Sequence, residues 1–92
     1  MKLETNMYVR TKDGIITKII DNRDIVIIKT DDYTTHLRSK VIKASFNIID
    51  LIEVGDYVNG YKVTDKFDYL LSFGNADWYM NEEDIKTIVT KE

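Results

Sequence analysis

The chain has 92 residues with no cysteine, no proline and a single histidine, His36, so a disulfide, a thiolate zinc site and a histidine-rich metal centre are all excluded. Its 13 Lys/Arg and 16 Asp/Glu give a net charge of −3 and an acidic isoelectric point, which argues against general nucleic-acid binding, because that needs a basic surface to displace counterions. This length makes one small domain, or two very small units that must stabilise each other or be stabilised in an oligomer.

Met1–Asn6 is polar and lacks the apolar stretch of a secretion signal. Met7–Lys12 is rich in β-branched and aromatic residues and predicts a strand. Asp13-Gly14 predicts a hairpin turn, with Ile15–Asp21 as the return strand. After a turn at Asn22–Asp24, Ile25–Thr30 predicts a strand. Its Ile25-Val26-Ile27-Ile28 run does not alternate with polar residues, so both strand faces are expected to be covered. Ile15-Ile16 and Ile19-Ile20 carry the same expectation. Ile25–Ile28 is also the longest apolar run, far too short to span a bilayer. With the cysteine-free composition, this points to a soluble, cytoplasmic chain.

Asp31-Asp32 predicts a turn, Tyr33–Arg38 a strand, and Ser39–Ala44 a short closing segment. Residues 46–56 read as a linker, with one helical turn expected around Asp50–Val54 before the Gly55-Asp56 turn. Asn59-Gly60 is a strong hairpin signal. Tyr61–Lys66, Tyr69–Phe73 and Trp78–Met80 predict strands, with a loop at Gly74–Asp77. Asn81–Asp84 reads as an acidic loop that caps a short turn at Asp84–Thr87, and Ile88–Thr90 closes the chain.

The two halves align as a repeat. Tyr8-Val9 matches Tyr57-Val58, Ile16 matches Val63, Ile20 matches Phe67, Asp24-Ile25 match Asp68-Tyr69, and Ile27 matches Leu71. Short strands at this spacing with turns between them predict an all-β fold. The expected architecture is two tandem small SH3-like barrel units, 1–45 and 57–92, sharing one core, with short helical turns. Charge is uneven: residues 1–45 hold nine Lys/Arg and six Asp/Glu (+3), and residues 46–92 hold four and ten (−6). Such asymmetry steers association, either head to tail between copies or towards a charged partner. With the surplus apolar strand faces it predicts self-association, most simply a symmetric dimer.

The segment Ser45–Gly60, the opening Tyr8–Ile15 and the closing Ile85–Glu92 resemble small uncharacterised proteins encoded in prophages of clostridia and related bacteria. The resemblance covers most of the chain and is least distinctive over Asn22–Lys43. It implies a phage or mobile-element origin. It carries no catalytic motif, and such relatives often continue beyond the Ile-Val-Thr-Lys-Glu segment where this chain stops.

No catalytic constellation is legible. His36 reads as a surface or rim strand residue, and Asp31-Asp32 and Glu82-Glu83-Asp84 read as solvated turn acids. Gly14, Gly55, Gly60 and Gly74 are isolated turn glycines, not a phosphate loop. The chain is therefore expected to be no enzyme and to need no cofactor or metal. The concentrated feature is aromatic: Tyr57, Tyr61, Phe67, Tyr69, Phe73, Trp78 and Tyr79 all fall in the second half. Adjacent strand residues point to opposite faces, so one of Trp78 and Tyr79 is expected in the core and the other exposed. The expected function is a non-enzymatic phage-derived binding protein that covers a bacterial host protein surface, such as that of a defence-system component. Trp78, Tyr79, Glu82, Glu83 and Asp84 are its candidate contact residues. An alternative is an oligomeric sponge that sequesters a host nucleotide signal, with Arg10, Lys12, Arg23 and Arg38 supplying the phosphate contacts. A structural or accessory prophage domain is the third reading.

Overall fold

A computed structural model describes residues 2–74 and 76–91. Met1, Glu92 and Asn75 of the predicted Gly74–Asp77 loop lie outside the described residues. The chain is mostly β, built from short antiparallel strands and three single 3-10 turns among the described residues. None of the helical segments described is long and apolar enough to cross a membrane. The backbone divides into two compact units, residues 1–47 and 48–92.

In the first unit, β1 (Tyr8–Thr11), β2 (Ile16–Asp21), β3 (Ile27–Thr30) and β4 (Thr35–Leu37) run as a meander. A 3-10 turn at Arg38–Lys40 then leads into β5 (Val41–Ser45), which returns to pair with β1. The sheet order is β4-β3-β2-β1-β5. Val9, Ile19 and Ile28 are fully buried, and with Leu3 they form the core, against which Met7, Val41 and Ala44 pack. The β1–β2 hairpin closes at Gly14, whose φ of 82° is the left-handed value glycine reaches without a Cβ clash.

Ile25 and Val26 do not belong to β3. They precede it and are 90% and 57% exposed. The non-alternating apolar run therefore joins a loop to a strand, and only Ile28 reaches the core. Ile20 is likewise exposed, because the β2–β3 register shifts between Ile19 and Asp21 and leaves it as the extra residue of a bulge. None of these three side chains is covered by the core of its own unit. Tyr33 is also outside its predicted strand, sitting in the β3–β4 turn at a φ of 64°.

In the second unit, a 3-10 turn spans Ile48–Leu51, and Ile49, Leu51 and Ile52 are buried. The segment read as a linker thus supplies Ile49 and Ile52 to this unit's core, beside Val58, Val63, Leu71 and Met80. The strands are β6 (Tyr57–Val58), β7 (Tyr61–Lys62), β8 (Asp65–Phe67), β9 (Leu70–Ser72), β10 (Asp77–Tyr79) and β11 (Ile88–Val89). β6 pairs with β7 and β11, and β9 pairs with β8 and β10. The order of connections follows that of the first unit, down to a 3-10 turn, Glu82–Asp84, before the last strand pairs with the first. Val63-Thr64 interrupts what would be one long strand, so the ladders split into two three-stranded sheets and no closed barrel forms among the described residues.

The ladders also correct the alignment by a residue. Ile28 faces His36 in the first unit and Leu71 faces Trp78 in the second, and both are fully buried. Leu71 therefore corresponds to Ile28, not to Ile27.

Two polar residues brace the second unit. Asp56 is fully buried, and its carboxylate accepts the Glu53 N–H at 2.8 Å and the Lys91 N–H at 3.0 Å. It thereby pins the end of the chain to the start of the unit. Asn59 takes the left-handed conformation of the hairpin turn (φ 52°). Its side-chain oxygen accepts from Lys86 N (2.7 Å) and Thr87 N (3.1 Å), while its amide donates to the Asp84 carbonyl at 2.8 Å.

Candidate functional site

Alternation along β9 sets the two faces of the β8–β10 sheet. Leu71 points into the core, and its ladder neighbours on that side are Lys66 and Trp78. Lys66 donates its ammonium to the carbonyls of Ile49 (2.6 Å) and Ile52 (2.9 Å), which caps the 3-10 turn beneath. Trp78 does not enter the core. It is 48% exposed and lies against Phe73 (ring centroids 5.4 Å apart) and Tyr61 (6.3 Å), with Tyr61 edge-on to both. Met80 takes the buried place instead.

On the opposite face, Phe67, Leu70 and Tyr79 line up across the three strands, since Leu70 is the register partner of both aromatics. Phe67 is 76% exposed and Tyr79 78%. At about 150–250 Å² per aromatic side chain, this row presents on the order of 300 Å² of apolar surface, comparable to the largest apolar patch of an ordinary monomer. The next row on the same face is Asp65, Ser72 and Asp77, with the Ser72 hydroxyl donating to Asp77 at 2.6 Å. Apolar and acidic rows therefore run side by side. The expectation that one of Trp78 and Tyr79 is core is corrected: both are exposed, on opposite sides of one edge strand.

Glu82, Glu83 and Asp84 are all exposed and form the 3-10 turn itself, two residues earlier than the predicted turn. Asp84 is committed to the turn, because its carboxylate accepts the Asn81 N–H at 3.0 Å. Glu82 and Glu83 remain as the outward carboxylates beside β10.

The four cations of the nucleotide reading do not share one surface. Arg10 is fully buried in β1 and Lys12 is exposed beyond its end. Arg23 forms a two-pronged ion pair with Asp21, closest at 2.7 Å, which holds the Asp21 carboxyl well below the usual range. Arg38 donates to the backbone carbonyls of Asp24 (2.8 Å) and Asn22. Arg23 and Arg38 thus converge on the loop before β3, beside an open cleft of about 280 Å³ lined by Asp21, Arg23, Asp24, Ile27 and Lys29.

His36 is held in a turn network. Its Nε2 lies 2.8 Å from the Thr34 hydroxyl, which itself donates to Asp32 at 2.7 Å. The Asp32 carboxyl is lowered chiefly by the Thr30 hydroxyl that donates to it, and then by Thr34. Asp31 accepts from Thr17 at 3.0 Å and from the Lys18 N–H at 3.2 Å. Both acids of this pair hold turns. Among the described residues no three metal-ligating side chains converge.

Sequence reasoning missed Phe67 and Leu70 as partners of Tyr79. The two-residue gap between them, Asp68-Tyr69, signals a tight hairpin that sets them face to face. The pairing with Tyr79 carries no local signal. No protein-family model, curated protein or solved structure matches the chain.

Proposed function

We propose that this chain is a non-enzymatic binding protein of phage origin, built from two tandem SH3-like units. It acts in the bacterial host cytoplasm by covering a surface of a host protein, such as a component of a defence system. The observation that carries this reading is the exposure of Tyr79 and Trp78 on both sides of β10, next to the outward carboxylates of Glu82 and Glu83. Aromatic anchors supply most of the energy of an interface, and surrounding charges steer the encounter. A basic protein surface with an apolar pocket is the matching partner. The engagement of His36, Asp31 and Asp32 in turns supports a binding role over a catalytic one.

The test is quantitative capture from host lysate, followed by affinity measurement on the captured protein. Tyr79→Ala should weaken binding by about 2 kcal/mol or more and leave the far-UV circular dichroism unchanged. Reversing Glu82 and Glu83 to lysine should slow association at low salt and have little effect at high salt. Binding that survives Tyr79→Ala and Trp78→Ala alike would refute this site.

A further inference from the structure

The loop between β2 and β3 holds exposed apolar side chains unusually firmly. Arg23 is clamped to Asp21. The Asp24 carboxylate accepts the N–H groups of Val26 (2.8 Å) and Ile27 (3.2 Å). Arg38 binds the Asn22 and Asp24 carbonyls through its guanidinium and the Val26 carbonyl through its N–H at 2.9 Å. These contacts fix the backbone around Ile25, which is 90% exposed, and Val26, which is 57% exposed. An apolar knob on a rigid support loses little conformational freedom on docking, which is the condition for a productive anchor.

The second unit offers the complementary surface. Its Phe67–Leu70–Tyr79 row is apolar and is flanked by Asp65 and Asp77. The knob's own unit carries +3 and the unit with the aromatic row −6, since residues 46 and 47 are uncharged and the division at 47 leaves both sums unchanged. Around the knob, the exposed Lys29 and Arg23 stand with Asp24 and with Asp21, to which Arg23 is paired, so the positive charge belongs to the unit as a whole.

We infer that copies of this chain associate head to tail, with the Ile25-Val26 knob of one copy seated on the Phe67–Leu70–Tyr79 face of the next. The occupant of each surface is thus a second copy, selected by apolar fit and opposite charge. Each copy carries both a knob and a face, so the contact closes a symmetric dimer where it is reciprocal and builds larger assemblies where it is not. It also covers Tyr79. The inference shares that residue with the host-binding reading but does not depend on a host partner, and its test uses the purified chain alone.

The experiment is sedimentation velocity over a concentration series reaching the millimolar range, on the full chain, Ile25→Asp, Tyr79→Asp and an equimolar mixture of the two variants. The wild type should form a dimer or a larger species as concentration rises and should dissociate as salt is added. Each variant alone should associate about 30-fold or more weakly, the effect of losing a 2 kcal/mol anchor. The mixture should form a one-to-one pair and stop there, because only one intact knob and one intact face remain. A wild type that stays monomeric overturns the inference. So does a variant that still associates, or a mixture that does not pair. Unchanged circular dichroism verifies each fold, and if Tyr79→Asp unfolds, Phe67→Asp replaces it on the same row.

Discussion

The two units solve the same step of their meanders with opposite chemistry. In the first, Ile28 faces His36, and the strand is held by a polar network of Thr30, Asp32 and Thr34. In the second, Leu71 faces Trp78, and the corresponding strand carries an aromatic cluster with Tyr61 and Phe73. The connections that precede them also differ. Asp68-Tyr69 turns the second unit in two residues between register partners Phe67 and Leu70. The first unit uses a longer loop that needs an ion pair, a carboxylate cap and an arginine brace. A buried residue on the middle strand is common to both. The side chain opposite it and the loop beside it are where the units diverge, so these are the places to look for what each unit does.

The largest expected effects fall on the shared feature. Ile28→Ala and Leu71→Ala each remove a fully buried side chain, and each should cost about 2–5 kcal/mol in urea unfolding. A loss below about 1 kcal/mol at either site would break the correspondence between them. Asp56 sharpens the contrast next, because the second unit relies on a buried carboxylate to hold Lys91. Asp56→Ala leaves two N–H groups without their acceptor and should cost about 1–3 kcal/mol, with increased amide exchange at Glu53 and Lys91.

The divergent position should be milder. Trp78→Ala removes exposed aromatic packing worth about 0.5–1.5 kcal/mol per pair and should leave the chain folded in thermal melts. His36→Ala should affect stability no more than this. Global unfolding on Trp78→Ala would show that Trp78 carries core packing after all.

The smallest effect is a pH response of the first unit. Asp21, Asp24 and Asp32 of the first unit are held below their ordinary values, by the Arg23 guanidinium, the Val26 and Ile27 N–H groups, and the Thr30 hydroxyl respectively. A carboxyl depressed on folding contributes stability above its unfolded value of about 4 and loses it as pH falls through the folded value. Acidification below about pH 4 should therefore weaken the first unit's turns, seen as titrating amide resonances at Val26, Ile27 and Thr34. Because Asp24 and Asp32 are exposed and Asp21 is only partly buried, the change in overall stability should be small. Asp32→Asn should remove the Thr34 response and leave those of Val26 and Ile27.

Much of the architecture is written locally. The Asn59-Gly60 turn, the short strands, the absence of long helices and the concentration of aromatics in the second half all follow from residue type and spacing, because turns and strand propensity are decided within a few residues. Burial is different. Arg10 lies inside while Ile25 stands in solvent, Met80 is core where Trp78 or Tyr79 was expected, and Ile49 and Ile52 turn a linker into part of a core. On the strands, burial depends on register: a bulge at Ile20, a strand that starts at Ile27 instead of Ile25, and a ladder that brings Tyr79 opposite Leu70. In a strand, a slip of one residue exchanges the inner and outer faces, and only pairing between distant segments fixes that slip.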